Sequence, residues 1–419
     1  MGLVNGLGLV AMLTRIYENY PMHLYVADST VNGFEPYRLA NILCRVHGNG
    51  TLNYAIPYLR ELIQGDWSDF TGTLVANGTN TTDGSILMID NGVGFPSNRV
   101  VTAGNTKICP YSNNKTIYLG GLAGPSGTML SCGGQKTISF GFGYTTYSVG
   151  AMGTDETFAG SINNQLYGSS TNTDGETTII KEGNGLWRLT GTNPYNGTTT
   201  VTGGKLIVNG SNTGNGKVTV NDGTILAGKG SISAEVDVAG TLEPGDSSIN
   251  TFTLKDKLTL QSTAITSIEI NKTNSTWDKV NVTSNIVYGG TLKINFTGTP
   301  ASGDIYKIFT TTAAISGTIT QFDPATPGPG LLWKFKQATG ELAIQSPNFV
   351  ETPTSLVLNA TTSTITSKST VNCSWADNAN NELYYILERC TDSVNFVDVA
   401  HPVANSITYS DTALLPSTK

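Results

Sequence analysis

The sequence predicts an all-β fold, a parallel β-helix of stacked coils, and three observations carry that prediction. Glycine supplies 48 of the 419 residues, against 24 Lys and Arg, 31 Asp and Glu and 3 His. Short runs of alternating apolar residues recur, separated by turns that contain glycine. Helix-period patterning is scarce over most of the chain.

The low charge shapes what the chain can do. Charged residues are 13% of the total, well below the roughly 25% of ordinary soluble proteins. With 38% hydrophobic residues, such a chain folds rather than remaining disordered, because disorder couples few apolar residues to high charge. The net charge of −7 is thinly spread and Lys and Arg do not cluster, which argues against a phosphate-tracking surface and against nucleic acid as a partner. No apolar run reaches the 18 or more residues that span a bilayer, so no transmembrane segment is expected. The chain is expected to act as a monomer. Residues 1–20 are expected to be an irregular or truncated N-terminus, because their apolar stretch lacks the basic flank and small-residue site of an export signal. Cys44, Cys109, Cys132, Cys373 and Cys390 show no Cys-x-x-Cys spacing and give neither a disulfide framework nor a metal site.

After residue 180 one unit recurs, as "TTVTGGKLIV" around Gly204, "KVTVNDGTIL" around Gly223, "EVDVAGTLEP" around Gly240 and "GGTLKINF" around Gly290. The spacing predicts coils of about 17 to 22 residues, with the longer last gap covering more than one coil. In "GKVTVNDGTILAG" the alternation points Val218 and Val220 inward and Lys217, Thr219 and Asn221 outward. Asn-Asp-Gly makes the corner, after which Ile225 and Ala227 are expected to resume the inward face. Stacking coils about 4.8 Å apart pairs every backbone group with its neighbours and builds one continuous aliphatic core. A looser form of the pattern runs upstream in "DFTGTLVANG", "GGLAGPSGTMLSCGG" and "TFAGSINN". Only "YRLANILCRV" and "NYAIPYLRELIQ" look briefly helical, and Pro57 limits the second.

"GNGLWRLTGTNPYNGTTTVTGGKLIVNG" resembles the autotransporter-associated β-strand repeat, placed at 181–210. Gly183, Gly185, Leu189, Gly191, Asn193, Tyr195, Gly197, Thr199, Val201, Gly204 and Leu206 stand at the positions of that pattern. The resemblance implies a right-handed parallel β-helix of the pectin-lyase-like kind over 21–346, located outside the cell or on a bacterial cell surface. It implies no reaction of its own. Proteins with this repeat include adhesin-like chains and the non-catalytic parts of polysaccharide-degrading enzymes.

From Pro347 the composition changes, and a Pro- and Thr-rich linker is expected over 347–356. The segment 357–419, with "STVNCSWADNANNELYYILERC", resembles a fibronectin type III domain: Val371, Cys373 and Trp375 alternate inward as one strand, and "YYILER" supplies the next. The sequence ends before the last two strands of such a sandwich, so a partial domain is expected. Cys373 and Cys390 fall on adjacent strands but with different facings, which disfavours a bridge between them.

Two chemistries deserve weighing. A polysaccharide lyase on a β-helix gathers carboxylates that hold calcium beside a basic residue that takes a proton, so calcium is the one cofactor this option admits. The early candidates are Asp66, Asp69, Asp83, Asp90, Asp155 and Glu156, with Arg45, Arg60 and Arg99, and their spacing forms no cluster. His23, His47 and His401 are too dispersed for a ligand set. "DNGVG" and "NPYNG" fit turns better than calcium loops, and "GFGYTTYSVG" lacks the helix and acid of a dinucleotide site. The other chemistry is stacking of a sugar's C–H face on aromatic rings, for which Trp67, Trp187 and Tyr195 are the ligand-binding candidates. Trp187 alternates with Leu189, and Tyr195 belongs to the repeat's own pattern, so both also suit the core. The expectation is a non-catalytic stalk or carbohydrate-associated scaffold whose partner, if any, is a polysaccharide or surface glycan. The alternatives are the C-terminal portion of a pectate-lyase-like enzyme and a glycan-binding adhesin.

Overall fold

The structure is a computed structural model that describes residues 23–26, 30–34, 41–42, 45–56, 61–80, 84–112, 114–132, 143–165, 175–347, 350–362, 368–379, 382–391 and 394–415. The chain divides into two compact units, one of residues 1–300, 305–327 and 333–343 and one of residues 301–304, 328–332 and 344–419. Among the described residues every regular element is a strand.

The first unit is a parallel β-helix. Each regular coil contributes three short strands, as in Thr199–Val201, Lys205–Val208 and Ser211–Asn212, followed by Val218–Val220, Ile225–Gly228 and Ser231–Ile232. Like strands stack in parallel from coil to coil. One face is a sheet of thirteen strands, the second a sheet of nine that starts at Glu156–Phe158, and the third is carried by a six-stranded sheet in each half. The Ile162 amide donates to Asn193 Oδ1 at 3.0 Å where the third face passes from one half to the other.

Register makes the core. Along the thirteen-stranded face Val201, Val220, Val238 and Leu260 occupy one inward row, and on the next face Trp187, Leu206, Leu226 and Leu242 occupy another. All eight are buried. The partners of Ile179 and its successors, Thr199, Val218, Val236 and Leu258, lie about 20 residues apart, as the spacing predicts. Beyond Leu258 the steps to Ile286 and Ile315 lengthen to nearly 30 residues. One of these longer coils adds a hairpin, in which Ile270 pairs antiparallel with Trp277.

Several expectations change. Leu226, not Ile225 or Ala227, takes the inward row opposite Leu206 and Leu242. Thr224 is spent on the corner, its hydroxyl donating to the Asn221 carbonyl at 2.7 Å, and one extra corner residue inverts the parity of the strand that follows. Ala227 is nonetheless buried, on the outward row where the chain after Pro244 returns to pair Gly245 antiparallel with Gly228. The segments that look helical are strands where they are described, Asn41–Ile42, Arg45–Gly48, Thr51–Ile56 and Glu61–Ile63. Leu52, Tyr54 and Ile56 point inward in strict alternation, and their stacking in register on Leu74, Ala76 and Gly78 overrides local helix propensity. Residues 1–20, Arg60, Asp83 and Cys44 lie outside the described residues.

The last coils are filled by aromatic rings. Tyr288, Phe309 and Phe335 meet at centroid separations of 5.1 to 5.9 Å, and Phe296 packs on Tyr306 and Trp333. Here Ile305–Lys307 pairs antiparallel with residues 341–343, while Phe309–Thr310, Ile315–Gly317 and Gln321–Asp323 add the last parallel strands to the three faces.

The second unit holds an antiparallel sheet of Thr354–Thr362, Ser369–Ala376 and Thr408–Leu414 and a smaller pair, Leu387–Arg389 with Val397–Ala400, compatible with a sandwich. Its first strand starts inside the segment expected to be a linker. Cys373 and Trp375 are buried on one side of the sheet, as the alternation predicts, and Cys373 and Cys390 are free thiols.

The coil register has a direct consequence. Val220→Ala should lower the urea midpoint by an amount equivalent to about 1–3 kcal/mol, whereas Thr219→Ala, on the outward side of the same strand, should stay within about 0.5 kcal/mol. Equal effects in the two unfolding curves would contradict the assigned facing.

Candidate functional site

The three aromatic candidates are all in the core. Trp67 is 3% exposed and packs against Phe95 and Phe70 at 5.2 and 6.2 Å. Trp187 is 1% exposed, and its indole N–H donates to the Leu122 carbonyl at 3.0 Å. Tyr195 is 4% exposed, with its hydroxyl 2.6 Å from Thr199 Oγ1, and burial pushes its pKa up to about 12. No ring among them offers a face to a sugar, so the ligand-binding expectation for Trp67, Trp187 and Tyr195 is corrected. Inward parity is the reason for Trp187, and its spacing from Leu189 already carried that signal.

The repeat residues have structural work of the same kind. Asn193 joins neighbouring coils, its amide donating to Asn212 Oδ1 at 3.0 Å. Gly183 turns its corner at φ 68°, and a Cβ there would strike the Gly150 carbonyl one coil below. Lys181 is 1% exposed, on the inward side with Thr177 and Ile179, and its ammonium donates to the carbonyls of Glu182, Gly183 and Gly203 at 2.7, 3.0 and 3.0 Å. Burial lowers its pKa to about 8. The lysine therefore ties two successive corners together.

The lyase candidates separate into distinct places. Asp90 accepts from Gln64 Nε2 at 3.1 Å and Ser112 Oγ at 3.0 Å. Asp155 accepts from the Leu186 amide at 2.9 Å. Glu156, whose side chain is 3% exposed, takes both arms of Arg99 at 2.6 and 3.0 Å. Asp66 and Asp69 do converge, contrary to their spacing: Arg45 Nη2 lies 3.0 Å from Asp66 and 3.2 Å from Asp69, and His47 Nδ1 lies 3.1 Å from Asp69. Coil stacking assembles this group, since Val46 and Gly48 donate to the carbonyls of Asp66 and Asp69. The Ser68 hydroxyl and amide, with Arg45 behind them, hold the Asp66 carboxyl below its usual range. The guanidinium sits between the carboxylates, where a calcium ion would have to compete with it. Among the described residues no group of three or more His, Cys, Asp and Glu is placed to hold a metal. His401 pairs with Asp398 at 2.6 Å, remote in sequence from His47. "DNGVG" is a turn, with Asn91 Oδ1 accepting from the Gly94 amide at 2.7 Å.

Farther along, outward charges form ladders between coils. Arg188 grips Asp246 with two bonds of 2.6 and 2.9 Å, and Asn209 adds a third to the same carboxylate at 2.8 Å. Lys205 meets Glu243 at 2.8 Å and Lys217 meets Asp237 at 3.0 Å. No protein-family model matches the chain, and no relative is found among curated proteins.

One buried acid that the sequence did not single out is Asp278, fully buried, with Oδ1 accepting from the Asn250 amide at 2.7 Å and Oδ2 from the Glu269 amide at 2.8 Å. Burial raises its pKa to about 6. The folded state thus binds this proton more tightly than the unfolded chain, whose Asp titrates near pH 4. The stability linked to it is fully present below about pH 4 and lost as pH rises through about 6. Urea midpoints measured from pH 4 to 7.5 should show this dependence, and Asp278→Asn should flatten it. A profile identical in the two proteins would contradict the assignment.

Proposed function

We propose that the chain is a secreted or cell-surface β-helical scaffold, a non-catalytic stalk associated with carbohydrate. The observation that supports this most is the use made of charge. Lys217, Lys205 and Arg188 are bonded to acids one, two and three coils on in the stack, so these outward charges hold coils together. Thirteen strands at a spacing of ~4.8 Å make a face about 60 Å long, a span suited to displaying something at a distance. Asn193 and Tyr195, two positions of the repeat pattern, bond to Asn212 of the next coil, which is compatible with the resemblance to the autotransporter-associated repeat, and the antiparallel sheet around Trp375 is compatible with a fibronectin-like segment.

The second reading is a polysaccharide lyase of the pectate-lyase-like kind. The convergence of Arg45, His47, Asp66 and Asp69 favours it, because Arg45 and the two acids are half-exposed, His47 lies largely buried beside them, and the group includes a base and two acids.

An ultraviolet assay for unsaturated uronide, run on a panel of acidic polysaccharides with calcium and then with chelator, separates the two. The scaffold should release no product. Calcium-dependent product abolished by Arg45→Ala would replace the scaffold with the lyase.

A further inference from the structure

The thirteen-stranded face carries a patch without net charge that the stalk does not require. Ile117, Tyr147 and Ile179 point into the core, so the threonines that precede them point out. Thr116 pairs with Thr146 and Thr146 with Thr178, and because Ile179 pairs with Thr199, the next in the row is Thr198. Four threonine hydroxyls therefore stand in line at the coil spacing, half-buried in the first three and exposed in Thr198. Two tyrosines flank the row on the same side: Tyr118, two residues past Thr116, is 40% exposed, and Tyr144, two residues before Thr146, is 62% exposed. Four residues of strand and one coil step set them about 14 Å apart.

In the next coils the same row continues as Lys217, Glu235 and Lys257. These are bonded to one another at 3.6 to 3.7 Å, with Asp237 3.0 Å from Lys217. The row thus changes from hydroxyls to a self-neutralised ionic ladder at a definite coil. At the Tyr144 end of the hydroxyl stretch, Glu176 registers directly beside Tyr144 and Lys115 precedes Thr116, one charge of each sign.

We infer that the Thr116–Thr146–Thr178–Thr198 row with Tyr118 and Tyr144 is a binding face for an extended neutral polysaccharide. The ring faces would take the C–H faces of sugar units and the hydroxyl row the sugar hydroxyls. The absence of net charge on the patch matches a polymer without uronic acid or amine groups, which sets this ligand apart from the acidic substrate of a lyase. The inference deepens the carbohydrate-associated part of the scaffold reading and rests on it.

The test is co-sedimentation of the full chain with insoluble neutral polymers, a glucan, a mannan and acetylated chitin, beside an acidic polymer, at low and at 0.5 M salt (about a 4 Å Debye length). Retention on a neutral polymer should persist in salt and fall at least about tenfold in Tyr118→Ala/Tyr144→Ala. Thr146→Val/Thr178→Val should also weaken it, which guards against a tyrosine variant that does not fold, and thermal melts check folding in each case. No retention on any neutral polymer, unchanged retention in both folded variants, or retention only on the acidic polymer at low salt would overturn the inference. Silence here leaves the stalk standing, whereas uronide release in the separate assay removes the scaffold itself.

Discussion

Backbone hydrogen bonding between successive coils, strand on like strand in parallel register, sets the terms for every other feature of the first unit. An amide in one coil must find its carbonyl in the next, so corners must repeat in place even where their sequences differ. Side chains then alternate in and out by necessity. The aliphatic rows through Val220 and Leu226 follow from this, and so do the polar rows through Asn193 and Asn212. A corner that gains a residue does not break the stack but inverts the facing of the strand after it, as Thr224 does for Leu226.

The same constraint explains why so much polar chemistry in this chain is turned inward on itself. A corner of stacked coils leaves carbonyls pointing into a low-dielectric interior, and a buried carbonyl without a donor is costly. Lys181 answers with one ammonium for three carbonyls. Asp278 answers the converse problem, taking two backbone N–H groups. Glu156 with Arg99 and Asp246 with Arg188 bridge coils with bidentate pairs. These groups look like chemistry in a list of residues and act as fasteners in space. The row of Thr116, Thr146, Thr178 and Thr198 with Tyr118 and Tyr144 is by contrast turned outward.

An open stack of strands is a template for further pairing. Beyond Leu258 the coils lengthen, aromatic rings fill the last of them, and antiparallel pairs appear at Ile270 with Trp277 and again at Ile305–Lys307. Reversed strand direction and bulky rings such as Tyr288, Phe309 and Phe335 make this end of the stack a poorer template for further parallel pairing.

The sequence alone determined the fold class, because alternation, glycine corners and a roughly constant spacing are local and repeat often enough to be seen. The spacing of Trp187 from Leu189 also gave that residue a core reading beside the ligand reading that the structure overturns, and alternation placed Cys373 and Trp375 on one side of a strand. Tertiary structure decided whatever depends on which coil lies beside which. Arg45 and Asp69 are separated by one coil of sequence and joined only by stacking; Tyr118 and Tyr144 share a face only because Thr116 registers with Thr146; and Ile225 faces out because a corner residue shifted its phase. Period and composition survive small changes in corner length, while facing and neighbourhood do not, since in a strand one residue more or less turns every following side chain to the other side.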